Sequence, residues 1–187
     1  RPIVYFGVTA DDMTIEEHAT SLAVLIRNLG LERPVVIGHS MGTQVVAMLA
    51  ADHPDTLSHL VLIAPVVWPD ARSFWRAARL LAVDGMREPP IVTLLAANDY
   101  LFKAGLPYMI QQTPHLMSAT VEKWMGRVNA PTLVICGERD PIVPLEWGQQ
   151  LAESTAHGRF ATVPGPHVAM FTDPHEIAQL IIDHVKA

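Results

Sequence analysis

Apolar residues fall along the chain in two rhythms. Short runs of apolar residues, the composition of strands buried on both faces, occur at Pro34-Val-Val-Ile37, Leu60–Ala64 and Thr132–Cys136, with a further strand predicted over Arg159–Val163. Between them the spacing becomes helical. Ile15, Ala19, Leu22, Ile26 and Leu29 recur at intervals of 4, 3, 4 and 3, one face of an amphipathic helix. Thr14-Ile-Glu-Glu17 has the form of a capping box at its start, and Gly30 suits its stop. Met41–Ala51 is apolar almost all round, which predicts a buried helix that ends at His53-Pro54. Another helix is expected over Leu145–Ala156. The last one has Asp173 as N-cap and Pro174 at its first position, with Ile177, Leu180, Ile181 and Val185 on one face. Residues 1 to 12 read as loop. Continuous apolar strands separated by helices predict an α/β fold, a mostly parallel sheet covered on both faces.

Residues 65–129 break that alternation. They hold three of the four tryptophans (Trp68, Trp75 and Trp124) and prolines at 89, 90, 107 and 114, and Ala71–Val83 is their clearest helix. The reading is a helical insertion over the sheet edge, with 1–64 and 130–187 as one core.

Composition narrows the function. Half of the 187 residues are apolar and 17% are charged, enough material for a core. A net charge of −6 argues against a phosphate-tracking surface, so nucleic acid is not an expected partner. No apolar run reaches the roughly 18 residues of a membrane span. The single Cys136, inside an apolar strand, excludes an internal disulfide and reads as a buried, inert thiol. Of the other histidines, His175 and His184 on the last helix are expected to be solvated. His53, His59 and His157 fall at helix ends or in loops without a second ligand at metal spacing, so no metal is expected. His115 lies in the insertion, where a substrate contact stays open. The chain opens at Arg1, so a leader's absence carries no information; the cytoplasm is the expected compartment.

Gly38-His39-Ser40-Met41-Gly42 matches G-x-S-x-G, and it directly follows a strand and opens a helix, the context of a nucleophile elbow. Glycines are expected at both ends because a side chain there would collide with the neighbouring strand or helix. The bland alternative is a glycine-rich turn with a solvated serine. His39 reads as structural, its imidazole pointing away from the serine. A serine needs a base, and the base needs an orienting carboxylate. Asp140, in Gly137-Glu-Arg-Asp-Pro-Ile-Val-Pro144, lies just past one strand; His167, in Pro164-Gly-Pro-His167, lies just past the next. Both positions are carboxyl ends of strands, where open parallel sheets build their sites. Glu138 is a competing carboxylate, and Asp140 is preferred over it.

In these three blocks the chain resembles α/β-hydrolases of the lid-bearing esterase and lipase type, from the elbow region onward. The resemblance implies Ser40 as nucleophile, His167 as base, Asp140 as its partner and Met41 as the donor of one oxyanion N–H. It also implies that Trp68, Val143 and Val168 border the pocket for the small-molecule ester or acyl substrate, that no cofactor is needed, and that 65–129 is a cap. Hydrolysis of carboxylic esters through an acyl-enzyme is the leading expectation. Acyl transfer, perhydrolysis, lactone opening and C–C bond hydrolysis use the same triad, and a non-catalytic or truncated ligand-binding protein is the rival from another class.

Two features depart from the family. Thr43 stands where relatives often carry glycine. Only 39 residues precede Ser40, without the glycine-rich loop that gives the second oxyanion N–H, so the chain is expected to be part of a longer protein. The Val35–Gly38 strand would then be an edge, open to self-association.

Overall fold

The computed structural model describes residues 13–98 and 106–187, so the loop expected over 1 to 12 lies outside the described residues. Among the described residues, four parallel strands form one sheet in the order β1 (Val35–His39), β2 (His59–Ile63), β3 (Thr132–Gly137) and β4 (Gly158–Val163). The register sets Ile37 beside Val61, Val61 beside Leu133 and Val134 beside Phe160, so the carboxyl ends of all four strands lie along one rim.

Burial follows position in the sheet. β3 is buried at every residue and β2 at all but its first, as expected for strands covered on both faces. β1 differs: Val36 and Gly38 are buried while Ile37 between them is 49% exposed, so this strand is open on one face. A groove of about 730 Å³ follows that edge, lined among others by Leu22, Ile26, Val35, Ile37, Ile177 and Ile181.

α1 (Ile15–Asn28) begins with the predicted capping box: Thr14 Oγ1 accepts from the Glu17 amide, and the Glu17 carboxylate accepts from the Thr14 amide. It ends in a Schellman turn, with Gly30 at φ 63° and its amide on the Arg27 carbonyl, and the Leu31 amide on that of Ile26. Leu29 was expected on the buried face, but it is the C-cap and stands 48% exposed, because the turn carries it off the helical stripe. α2 (Met41–Asp52) packs on β1 and β2 with Thr43–Ala50 all buried.

Among the described residues, 65–129 holds four α-helices: α3 (Phe74–Gly85), α4 (Pro90–Asn98), α5 (Leu106–Ser118) and α6 (Val121–Met125). α3 starts three residues later than the spacing suggests, since Pro69–Ala71 forms its own 3-10 turn. Gln44 of α2 donates to the carbonyls of Val66 and Leu116, and Trp147 Nε1 donates to that of Pro65, so both ends of the segment are tied to the core.

After β3 come α7 (Leu145–Glu153), α8 (Ala169–Thr172) and α9 (Pro174–Lys186). Asp173 occupies the N-cap of α9, but its carboxylate accepts from the Thr172 hydroxyl and makes no capping bond. His184 was expected in solvent; it is 4% exposed and meets His59 edge-on at 5.3 Å. The helical stripe of α9 therefore includes a histidine, which burial holds on the neutral side.

Candidate active site

Three carboxyl-terminal strand ends bring three side chains together. Ser40 sits between β1 and α2 at φ 51°, ψ −124°, a backbone conformation that costs a non-glycine residue on the order of 1–3 kcal/mol. Gly38 makes the turn possible. A Cβ there would lie 2.5 Å from Val46 Cγ2 and 2.6 Å from the Gly42 carbonyl oxygen. Gly42 does not match the expectation of a collision, since a Cβ there would meet nothing within 4 Å. The turn is pinned instead by Thr43, whose amide and hydroxyl both donate to the Ser40 carbonyl, so the departure from glycine adds a hydrogen bond.

Asp140 lies in the loop after β3 and His167 in the loop after β4. The two loops approach closely because β3 ends in glycine: a Cβ on Gly137 would fall within 2.4 Å of the Gly165 and Pro166 carbonyl oxygens. The Glu138 and Arg139 amides donate across to Val163 and Gly165. Asp140 Oδ1 then accepts from the amides of Ile142 and Val143, at 2.7 and 3.1 Å, which fixes the carboxylate. Its Oδ2 is 2.8 Å from His167 Nδ1, and His167 Nε2 is 3.0 Å from Ser40 Oγ. An ionised carboxylate only accepts, so the Nδ1 proton is directed to Asp140 and the Nε2 lone pair to the serine hydroxyl. The Asp140 side chain is fully buried and that of His167 is 6% exposed, a setting in which these contacts are weakly screened.

The other named residues fall as follows. Met41 opens α2, so its N–H is one that a helix leaves without an intrahelical acceptor. Val143 is a core side chain, 1% exposed, whose amide rather than its isopropyl group serves the site through Asp140. Val168 is part-buried beside His167 and donates its amide to Glu88. Trp68 is part-buried against the core with the Arg76 guanidinium over its ring at 4.7 Å. Glu138 points away from His167 and accepts from Thr162 Oγ1. Cys136 is fully buried, its thiol pushed up to about 12 by desolvation. His115 lies near Glu17 and His18 of α1.

Three contacts around His167 had gone unassigned. His39, read as structural, packs against the His167 loop. Its Nε2 is 3.1 Å from the His167 carbonyl oxygen and the two rings are 5.1 Å apart. Desolvation, with the neighbouring His167 adding to it, holds His39 near pKa 4, so it is neutral and donates its Nε2–H to that carbonyl. From the insertion, Glu88 Oε1 accepts from the Val168 amide at 2.7 Å, and the buried Asp84 carboxyl lies near enough to His167 to interact with it electrostatically. The one sequence signal was two acids four residues apart in a mostly apolar segment.

A serine in a strained strand-to-helix turn, with a histidine and an aspartate supplied by the two following strand ends, is the arrangement of an α/β hydrolase. A model of the alpha/beta hydrolase fold family matches residues 1–128, and the chain belongs to that family. Over 202 residues it is 26% identical to "Putative carbamate hydrolase RutD" of Pseudomonas savastanoi pv. phaseolicola, spanning 94% of this chain and 76% of that protein. Monoacylglycerol lipase of Mycolicibacterium smegmatis is 22% identical over 191 residues, 92% of this chain and 68% of the lipase. Among solved structures, the enol-lactonase from Burkholderia xenovorans LB400 superposes with a TM-score of 0.76 at 21% identity, covering 94% of this chain and 74% of the lactonase. The protein is an enzyme of the α/β-hydrolase class. No described helix is long and apolar enough to cross a membrane.

Proposed function

We propose that the protein hydrolyses carboxylic esters through an acyl-enzyme, with Ser40 as nucleophile, His167 as general base and acid, and Asp140 holding the imidazole. The observation that carries this is the continuous relay from Asp140 Oδ2 through His167 to Ser40 Oγ, at 2.8 and 3.0 Å. Ser40 Oγ attacks the ester carbonyl as its proton passes to His167 Nε2. The carbonyl oxygen takes the negative charge near the Met41 N–H at the start of α2. Collapse expels the alcohol, which receives the proton from His167. Water then repeats the sequence and releases the acid and free Ser40. The names of the relatives support an activated acyl carbon: carbamate, monoacylglycerol and enol-lactone all present a carbonyl bonded to a heteroatom. The helices of 65–129, held to the core through Gln44, act as a cap over this site.

The test joins a covalent probe to turnover. A fluorophosphonate should label the wild-type protein at Ser40, and p-nitrophenyl esters should be hydrolysed. Ser40→Ala should lose both. Turnover that survives Ser40→Ala would reject the mechanism.

A further inference from the structure

Resting on the reading of His167 as the base, the structure assigns a positioning role to residues 84–88 of the insertion. We propose that Glu88, with Asp84 buried beside it in the same turn, holds the main chain of the His167 loop at the Val168 amide, while Arg87 ties that turn to the loop that bears Asp140. Asp84 is in the last turn of α3 and Glu88 lies between α3 and α4. The Arg87 and Glu88 amides both donate to the Asp84 carbonyl, at 2.7 and 2.9 Å, so the two carboxylates leave one rigid turn. They are 6% and 7% exposed. Glu88 Oε1 accepts from the Val168 amide at 2.7 Å, and Arg87 Nη1 donates to the Arg139 carbonyl at 3.3 Å.

These bonds close a frame around the base. The Asp140 carboxylate fixes the imidazole through Nδ1, and the His39 ring holds the His167 carbonyl from the β1 side. What remains free in that loop is the main chain on the amide side, and this is what the insertion grips. The choice of side chain is informative. Asp84 Oδ1 and Glu88 Oε2 are buried without a hydrogen-bond partner, a cost that an apolar contact would not incur. The placement of the insertion and that of the base are therefore one structural event, and shifting the turn would move His167 relative to Ser40.

Glu88→Ala removes one acceptor, and Glu88→Gln keeps an acceptor oxygen without the charge. For a p-nitrophenyl ester, Glu88→Ala should lower kcat by about tenfold or more with KM held within about twofold, since a small misplacement of the base acts on the chemical step. Glu88→Gln should recover most of that loss. Glu122→Ala breaks the Arg72–Glu122 bridge elsewhere in the insertion and should leave kcat within about twofold. Hydrogen exchange at the Val168 amide and the low-field NMR resonance of the His167 Nδ1 proton provide a reading that needs no substrate. Exchange should quicken and the resonance broaden in Glu88→Ala, and both should return in Glu88→Gln. If the wild type turns over no ester, the function proposed above fails while these spectra still report on the brace. Unchanged spectra and kcat in Glu88→Ala would overturn it, as would equal damage from Glu88→Gln and Glu122→Ala.

Discussion

The two oxygens of Asp140 do different work: Oδ2 faces His167 Nδ1 at 2.8 Å, while Oδ1 is held by the amides of Ile142 and Val143. In Asp140→Asn the two amides require an acceptor, so they keep the carboxamide oxygen and turn its NH2 toward His167. The imidazole must then accept at Nδ1 and carry its proton on Nε2, the tautomer that cannot take a proton from Ser40. Glu138, the rival carboxylate in the same loop, accepts from Thr162 Oγ1 instead. The expected result is a loss of about 10⁴-fold in kcat with the fold intact. Ester kinetics beside a thermal melt check it, and a loss under tenfold would contradict the assigned role.

Ser40 is held in a strained backbone conformation. At φ 51° and ψ −124°, alanine in its place keeps the strain, whereas glycine relieves it at the cost of extra entropy in the unfolded chain. Ser40→Gly should be more stable than Ser40→Ala by about 1 kcal/mol, seen as roughly 2–4 °C in melting temperature. Both variants should be inactive. Equal melting temperatures would show that the turn is not strained.

Much of this was legible in the chain because local patterns report local physics. The capping box at Thr14 and the apolar runs of β2 and β3 depend on neighbours in sequence, and each folds as read. The convergence of Ser40, Asp140 and His167 was legible too, because parallel strands put their following loops on one rim. What escaped depends on tertiary approach. The burial of His184 follows from its packing on His59, and the bond from the Val168 amide to Glu88 joins positions about 80 residues apart. No periodicity records such meetings.

The two elbow glycines make the same point in a form that can be measured. Gly38→Ala would drive a methyl into Val46 and the Gly42 carbonyl, and overpacking of this kind costs roughly 1–3 kcal/mol. Gly42→Ala meets nothing within 4 Å and lies inside α2, where alanine is favoured over glycine by about 1 kcal/mol. Chemical denaturation should show Gly38→Ala clearly destabilised and Gly42→Ala unchanged or slightly stabilised. Equal destabilisation of both would restore the collision expected at each.

Asp84 should mark stability with its own pH dependence. Burial raises its carboxyl from 3.8 to about 6; protonated His167 opposes that shift, while Glu88 and Asp140 add to it. A proton therefore binds the folded protein more tightly than the unfolded chain. In the window between those two values the folded state holds more protons, so its stability falls as pH rises and stays reduced above about 6. Asp84→Asn keeps the size of the side chain and has no charge to bury. Its advantage over the wild type should be near zero below about pH 4, grow between pH 4 and 6, and level off above that at no more than about 3 kcal/mol. Urea titrations of both proteins at pH 3.5, 5 and 7.5 would trace that curve. A difference that does not change with pH would mean that the substitution acts through packing, with Asp84 ionising in the fold much as it does in the open chain.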